Sequence, residues 1–139
     1  MNKRLIGAGL LAGLVLNIGE ALLHGVIFAD ASTEAMRSLG REMIASGSGM
    51  AQLVLVTFAQ GFVGMLIYGA VQPKWNAGLG TAIRVGLILW LLSAVYSAIY
   101  LTAGFPGLIS DALAWGPVGW EVVLYPLAIV AGSLIYKEK

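Results

Sequence analysis

The chain reads as an all-α polytopic membrane protein: a four-transmembrane-helix bundle with a short interfacial helix in its first outer loop. Three observations predict this. Of 139 residues, 59% are hydrophobic and only 11% are charged. Mean hydropathy is +0.88. The apolar residues gather into four runs of bilayer length, about 5–28, 50–71, 79–103 and 112–136. A water-soluble domain carries roughly a quarter charged residues, and so few charges cannot cover an aqueous surface. About twenty residues at 1.5 Å rise span the hydrocarbon core, and helices satisfy their own backbone polar groups there. The runs do not alternate as barrel strands do. One domain over residues 1–139 is expected.

The first run follows Met1-Asn2-Lys3-Arg4 and extends from Leu5 to Phe28. It exceeds the roughly 7–15 residues of a signal-peptide core, so it reads as a retained anchor. The connection from Ala29 to Gly49 has helical potential. Asp30 or Ser32 is placed to cap a helix starting near Thr33, with Met36, Leu39 and Met43 on one face and Glu34, Arg37, Arg41 and Glu42 around it. Ser46-Gly47-Ser48-Gly49 reads as a flexible joint. Pro73 is expected to end the second helix, with Trp75 at headgroup level. Pro106, Gly107, Gly116 and Pro117 break the third loop, where Asp111 is placed to cap a short turn. The membrane-crossing part of the fourth run then starts near Val118, and Pro126 kinks it.

Lys3, Arg4, Lys74, Lys137 and Lys139 flank one side of these spans, with Arg84 in snorkelling reach, against Arg37 and Arg41 on the other. The positive-inside rule then places both termini in the cytoplasm, as in a bacterial inner (cytoplasmic) membrane protein.

Polar residues inside the spans are the functional clue, because ionisable groups in a membrane are costly and usually face protein. Asn17, Glu20 and His24 follow i, i+3 and i+4 steps on one face of the first helix. Glu121 on the fourth helix, Tyr96 and Tyr100 on the third, and Thr57 and Gln60 on the second fall at similar depth on this topology. Asn17, Glu20, His24, Gln60, Tyr96, Tyr100 and Glu121 are therefore the candidate ligand- or proton-binding set. Glu20, His24 and Glu121 supply two carboxylates and an imidazole, a donor set suited to zinc, iron or manganese. The alternative for the same residues is a satisfied polar core that fixes helix packing. The repeated Glu-x-x-His pairs of a di-metal bundle are missing. A single histidine cannot give a bis-histidine haem within one chain.

Other residues read as structural. Trp75, Trp115, Trp120, Tyr125 and Tyr136 suit interfacial anchors, and Trp90 suits packing. Gly9 and Gly13 form a Gly-x-x-x-Gly pair, Ser93 and Ser97 repeat its spacing, and Gly61 and Gly64 lighten the second helix. Such small residues serve either a dimer or packing within one chain.

With Asn17, Gly19, Glu20 and His24 in the first helix and an outer loop like Phe28 to Gly40, the chain resembles uncharacterised bacterial four-span membrane proteins. That resemblance implies the four-span fold and no particular activity. In size and in its first-helix carboxylate it also looks like the small multidrug transporters, four-span dimers that exchange protons for cations. It departs from them in its longer spans, its longer first outer loop and the position of Glu20 beyond mid-helix, so the likeness is topological.

Composition excludes several classes. With no cysteine, thiolate zinc sites, disulfides and iron–sulfur clusters are ruled out. No basic patch suits nucleic acid. No glycine-rich segment ends in the Gly-Lys-Ser/Thr of a phosphate loop. No catalytic motif is present, so catalytic residues are assigned to none and no cofactor is expected beyond a divalent metal. The expected function is binding of a small ligand, lipid or partner helix. Proton-coupled transport through Glu20 is an alternative, and a metalloprotein or enzyme using Glu20, His24 and Tyr100 is another. Expected partners are membrane lipid and a homodimer or larger membrane complex.

Overall fold

The computed structural model describes residues 3–40 and 47–136. It is all-α. Four helices are long and apolar enough to cross a membrane: α1 (Lys3–Ile27), α3 (Gly47–Trp75), α4 (Leu79–Gly104) and α5 (Asp111–Ile135). The short α2 (Ala29–Ser38) does not span. The four long helices run up and down, so the start of α1, the α3–α4 loop and the end of α5 share one end of the bundle.

The helix α1 sits between α3 and α5, and α4 packs chiefly on α5. Its sequence explains that central place. Its buried positions are mainly small: Ala8, Gly9, Ala12, Gly13 and Gly19, with Leu16. Small side chains let neighbouring backbones approach closely, which is how helices associate where lipid is as apolar as leucine. A Cβ on Gly61 of α3 would run into the backbone of Gly13 and Ala12. Gly9 and Gly13 receive the rings of Phe62 and Phe58. The Gly-x-x-x-Gly pair is thus used inside the chain. Likewise Gly86 of α4 lies against the Pro126 backbone of α5, and Gly132 of α5 against Met65 and the Ala8 carbonyl.

The core of this half is apolar: Met65, Val85, Leu89, Ala128 and Ile129 are all buried. The outer surface is apolar as well. Leu10, Leu14, Ile18, Leu53, Leu55, Leu66, Leu92, Val123, Leu127 and Leu134 are exposed. So continuous an apolar belt suits hydrocarbon and would be a liability in water.

Several boundaries differ from expectation. Residues 47–49 belong to the first turn of α3. Pro73 lies inside α3, which continues to Trp75. The stop comes from the following turn, where Asn76 (φ 65°) and Gly78 (φ 139°) are left-handed and the Thr81 hydroxyl donates to the carbonyls of Trp75 and Asn76. The helix α5 begins at Asp111 and passes through Pro117 without a break, capped by Ser110, whose Oγ accepts from the Leu113 N–H at 3.4 Å. The helix α2 starts at Ala29 without a side-chain cap, four residues ahead of Thr33. Its Met36 is half-buried and its Leu39 is exposed, while Arg41, Glu42, Met43 and Ser46 lie outside the described residues, as do Lys137 and Lys139.

Two wide turns interrupt the long helices. Residues Leu23–Ile27 of α1 and Leu91–Val95 of α4 are π-helical. At the first, the Phe28 N–H reaches back five residues to the Leu23 carbonyl at 2.8 Å. Single π turns are rare and recur at functional sites. One of these contains His24 and the other Ser93.

Candidate functional site

The polar residues of the spans fall into two groups, one at mid-depth and one nearer the α2 end. The mid-depth group joins three helices. The Gln60 amide on α3 donates to Ser93 Oγ on α4 at 3.0 Å. That hydroxyl is also 3.0 Å from the Tyr125 hydroxyl on α5. Tyr125 is only 3% exposed. It is a buried hydrogen-bonding residue, which corrects the expectation of an interfacial anchor. The sequence signal was available: Tyr125 sits midway along its span, too deep for a headgroup belt. Nearby, the Trp90 indole donates to the Val118 carbonyl at 2.9 Å, a second polar tie between α4 and α5.

The second group is built on α1 and α5. Gly19 accepts Leu124 closely, and farther out Gly116 accepts the ring of Phe28. These two contacts bring the helices together around Glu20 and Glu121, one turn from Leu124. Glu20 and His24 form an i, i+4 pair, with Nε2 3.4 Å from the carboxylate oxygen. The pair is asymmetric: the Glu20 side chain is 24% exposed and the His24 side chain 54%. Glu121 is 8% exposed and lies within electrostatic reach of both. It has no hydrogen-bond partner among the described residues, yet no described buried side-chain oxygen or nitrogen is left both sealed off and unpaired. Its carboxylate oxygens therefore border open space.

The other expected members lie elsewhere. Asn17 is tied to the α1–α3 contact: its amide donates to the Gly13 carbonyl at 2.8 Å and to the Val54 carbonyl at 3.4 Å. Thr57 bonds back to the Leu53 carbonyl of its own helix. Tyr96 and Tyr100 are 63% and 52% exposed. They stack on each other along the outside of α4, 6.1 Å between ring centres, and Tyr100 meets Phe105 edge-on. Their helix turns Ala94 and Ala98 inward instead, because small residues are what the α4–α5 contact accommodates. Equal depth put these tyrosines in the candidate set; helical phase places them on the outer face of α4.

Among the described residues, no three His, Cys, Asp or Glu side chains come together to hold a metal ion. Glu20 and His24 meet, but Glu121 does not close a three-ligand set with them. The expectation of a Glu20, His24 and Glu121 metal site therefore finds no support among the described residues. The chain shows no significant match to any known family model, curated protein or solved structure.

Proposed function

We propose that this membrane-spanning protein is non-enzymatic and binds a small ligand in the half of the bundle nearer α2, with Glu20, His24 and Glu121 as polar anchors. One observation carries the reading: Glu121 is 8% exposed and has no hydrogen-bond donor among the described residues. A buried charge without a donor is strongly unfavourable. A proton, or a ligand carrying donors or positive charge, relieves it. If ionised, two carboxylates and one imidazolium leave a single negative charge, which favours a cationic or proton-donating guest. The Gln60–Ser93–Tyr125 network, nearer the middle of the bundle, adds fixed polar groups to the same interior.

The same reading includes orientation and setting. Lys3, Arg4, Lys74 and Arg84 at one end support placing that end in the cytoplasm of a bacterial cell, with a kinship to four-span bacterial membrane proteins.

The test is retention. The protein is extracted with its surrounding lipid, and its small-molecule content is compared by mass spectrometry with that of Glu20→Gln, His24→Ala and Glu121→Gln. A species present in the wild type and depleted in the variants, with assembly unchanged by size exclusion, is the expected result. Identical contents and identical assembly would sink the assignment.

Proton-coupled transport is a second reading. It is favoured by the Gly86–Pro126 backbone contact, a natural pivot between α4 and α5, beside an unpartnered carboxylate. Proteoliposomes showing no gradient-dependent uptake across a broad substrate panel would reject it.

A further inference from the structure

The end of the bundle opposite α2 has features of its own. Every described acidic residue (Glu20, Asp30, Glu34, Asp111 and Glu121) lies toward the α2 end. The opposite end carries Lys3, Arg4, Lys74 and Arg84. Arg84 and Lys74 make no ion pair among the described residues. Arg84 lines one of two recesses that share Ala77, Gly78 and Leu79 as a common wall. One, of about 220 Å³, is lined by Trp75 and Arg84. The other, of about 470 Å³, is lined by Tyr68, Gln72, Ser133 and Tyr136.

The wall between them is held in place. The Gly78 N–H donates to the Tyr68 hydroxyl at 3.1 Å, and Thr81 ties down the end of α3. Tyr68 is 2% exposed, and its ring meets that of Tyr136 edge-on at 6.0 Å. Because Tyr68 accepts from Gly78, its own O–H remains to donate, and no described acceptor takes it. A buried hydroxyl with an uncommitted hydrogen fits a ligand rich in acceptor oxygens.

We infer that these adjoining recesses bind the headgroup of one anionic phospholipid, with its phosphate at Arg84 and its glycerol and ester oxygens toward Tyr68. Three features select this occupant over other anions. The cation and the hydroxyl lie in neighbouring recesses, matching a headgroup whose phosphate and esters are joined through glycerol. Trp75 is 40% exposed at the rim, where indoles settle among headgroups. Leu79 and Leu134, both exposed, border the second recess, so acyl chains leaving it meet apolar surface.

The test is competitive lipid retention of the full chain in mild detergent, read by native mass spectrometry against an equimolar mixture of phosphatidylglycerol and phosphatidylcholine. One guanidinium near a lipid surface contributes ~1 kcal/mol, so phosphatidylglycerol adducts should lead by about fivefold. Arg84 is exposed, so Arg84→Gln should fold normally and bring the ratio close to parity. Lys3→Gln should leave it unchanged. Tyr68→Phe should shorten the lifetime of the adduct with both lipids. Equal retention of the two lipids by the wild type, or an undiminished preference in Arg84→Gln, overturns the inference. Displacement of the lipid by millimolar inorganic phosphate or glycerol phosphate also overturns it, since the site would then belong to a soluble anion.

Discussion

Glu121→Gln keeps the shape of a buried side chain and removes its charge. A carboxylate with no donor destabilises the fold unless something neutralises it. The variant should therefore lose the retained ligand and melt, by a fluorescence melt in detergent, at the same temperature as the ligand-stripped wild type or a few degrees higher. A melting temperature below that of the stripped wild type would mean that the carboxylate has a structural partner and is not waiting for a guest. Tyr125→Phe tests the mid-depth network differently. Removing its hydroxyl takes one bond from Ser93, and interhelical hydrogen bonds in membranes average about 0.6 kcal/mol by double-mutant cycles. A cycle with Ser93→Ala, followed by reversible unfolding, should return a coupling of that order; zero coupling would separate the two hydroxyls.

At the level of the helix, glycine spacing sets how closely neighbours pack. Gly61→Leu puts a side chain where the α1 backbone already lies. Overpacking costs roughly 1–3 kcal/mol or more, and here the obstacle is main chain, which cannot rotate away. Loss of the folded species from size exclusion is expected. Gly119→Ala is the contrast: a Cβ there meets nothing within 4 Å, and alanine is favoured over glycine in a helix by ~1 kcal/mol. It should be neutral or stabilising in a thermal melt. This is also where the sequence was most and least legible. Span number, length and order could be read from hydropathy, because lipid imposes one requirement on every buried backbone group. Boundaries at prolines could not. Pro73 and Pro117 lie within helices since each removes only one backbone bond, and neighbouring packing outweighs that loss. Nor could helical phase between partners be read. Depth alone grouped Tyr96 and Tyr100 with Glu20, whereas the small residues Ala94 and Ala98 decide which side of α4 faces inward. The Glu20–His24 pair was legible because i, i+4 spacing needs no partner helix. The burial of Tyr125 and its bond to Ser93 depend on two other helices meeting, which no single segment encodes.

For the molecule as a whole, the described carboxylates lie toward the α2 end and the described Lys and Arg, apart from Arg37, toward the other. Cysteines placed at Asn76 and at Ser32 should react with an impermeant maleimide from opposite faces of a sealed vesicle, since one crossing, α3, separates them. Labelling of both from the same face would contradict a four-span path. With the positive-inside rule, Asn76 should be the cytoplasmic member of the pair. The helix α2 is exposed along most of its length and carries the Glu34–Arg37 pair, 3.3 Å apart and open to water. Such surface pairs contribute little, about 0–1 kcal/mol. Arg37→Ala should accordingly leave the melting temperature of the protein unchanged.

The π turn of α4 holds one more residue than an ordinary turn would need. Trimming a single residue from Leu91–Val95 should let the segment relax to regular winding, with the helix on either side keeping its partners. Trimming one from Val85–Leu89 offers no such slack. It would swing everything beyond it by about 100°, turning Ala94 and Ala98 toward lipid and carrying Ser93 away from Tyr125. Comparing the expression and melting of these two single-residue deletions would show whether the spare residue acts as a local register buffer, absorbing length changes that the rest of the helix cannot.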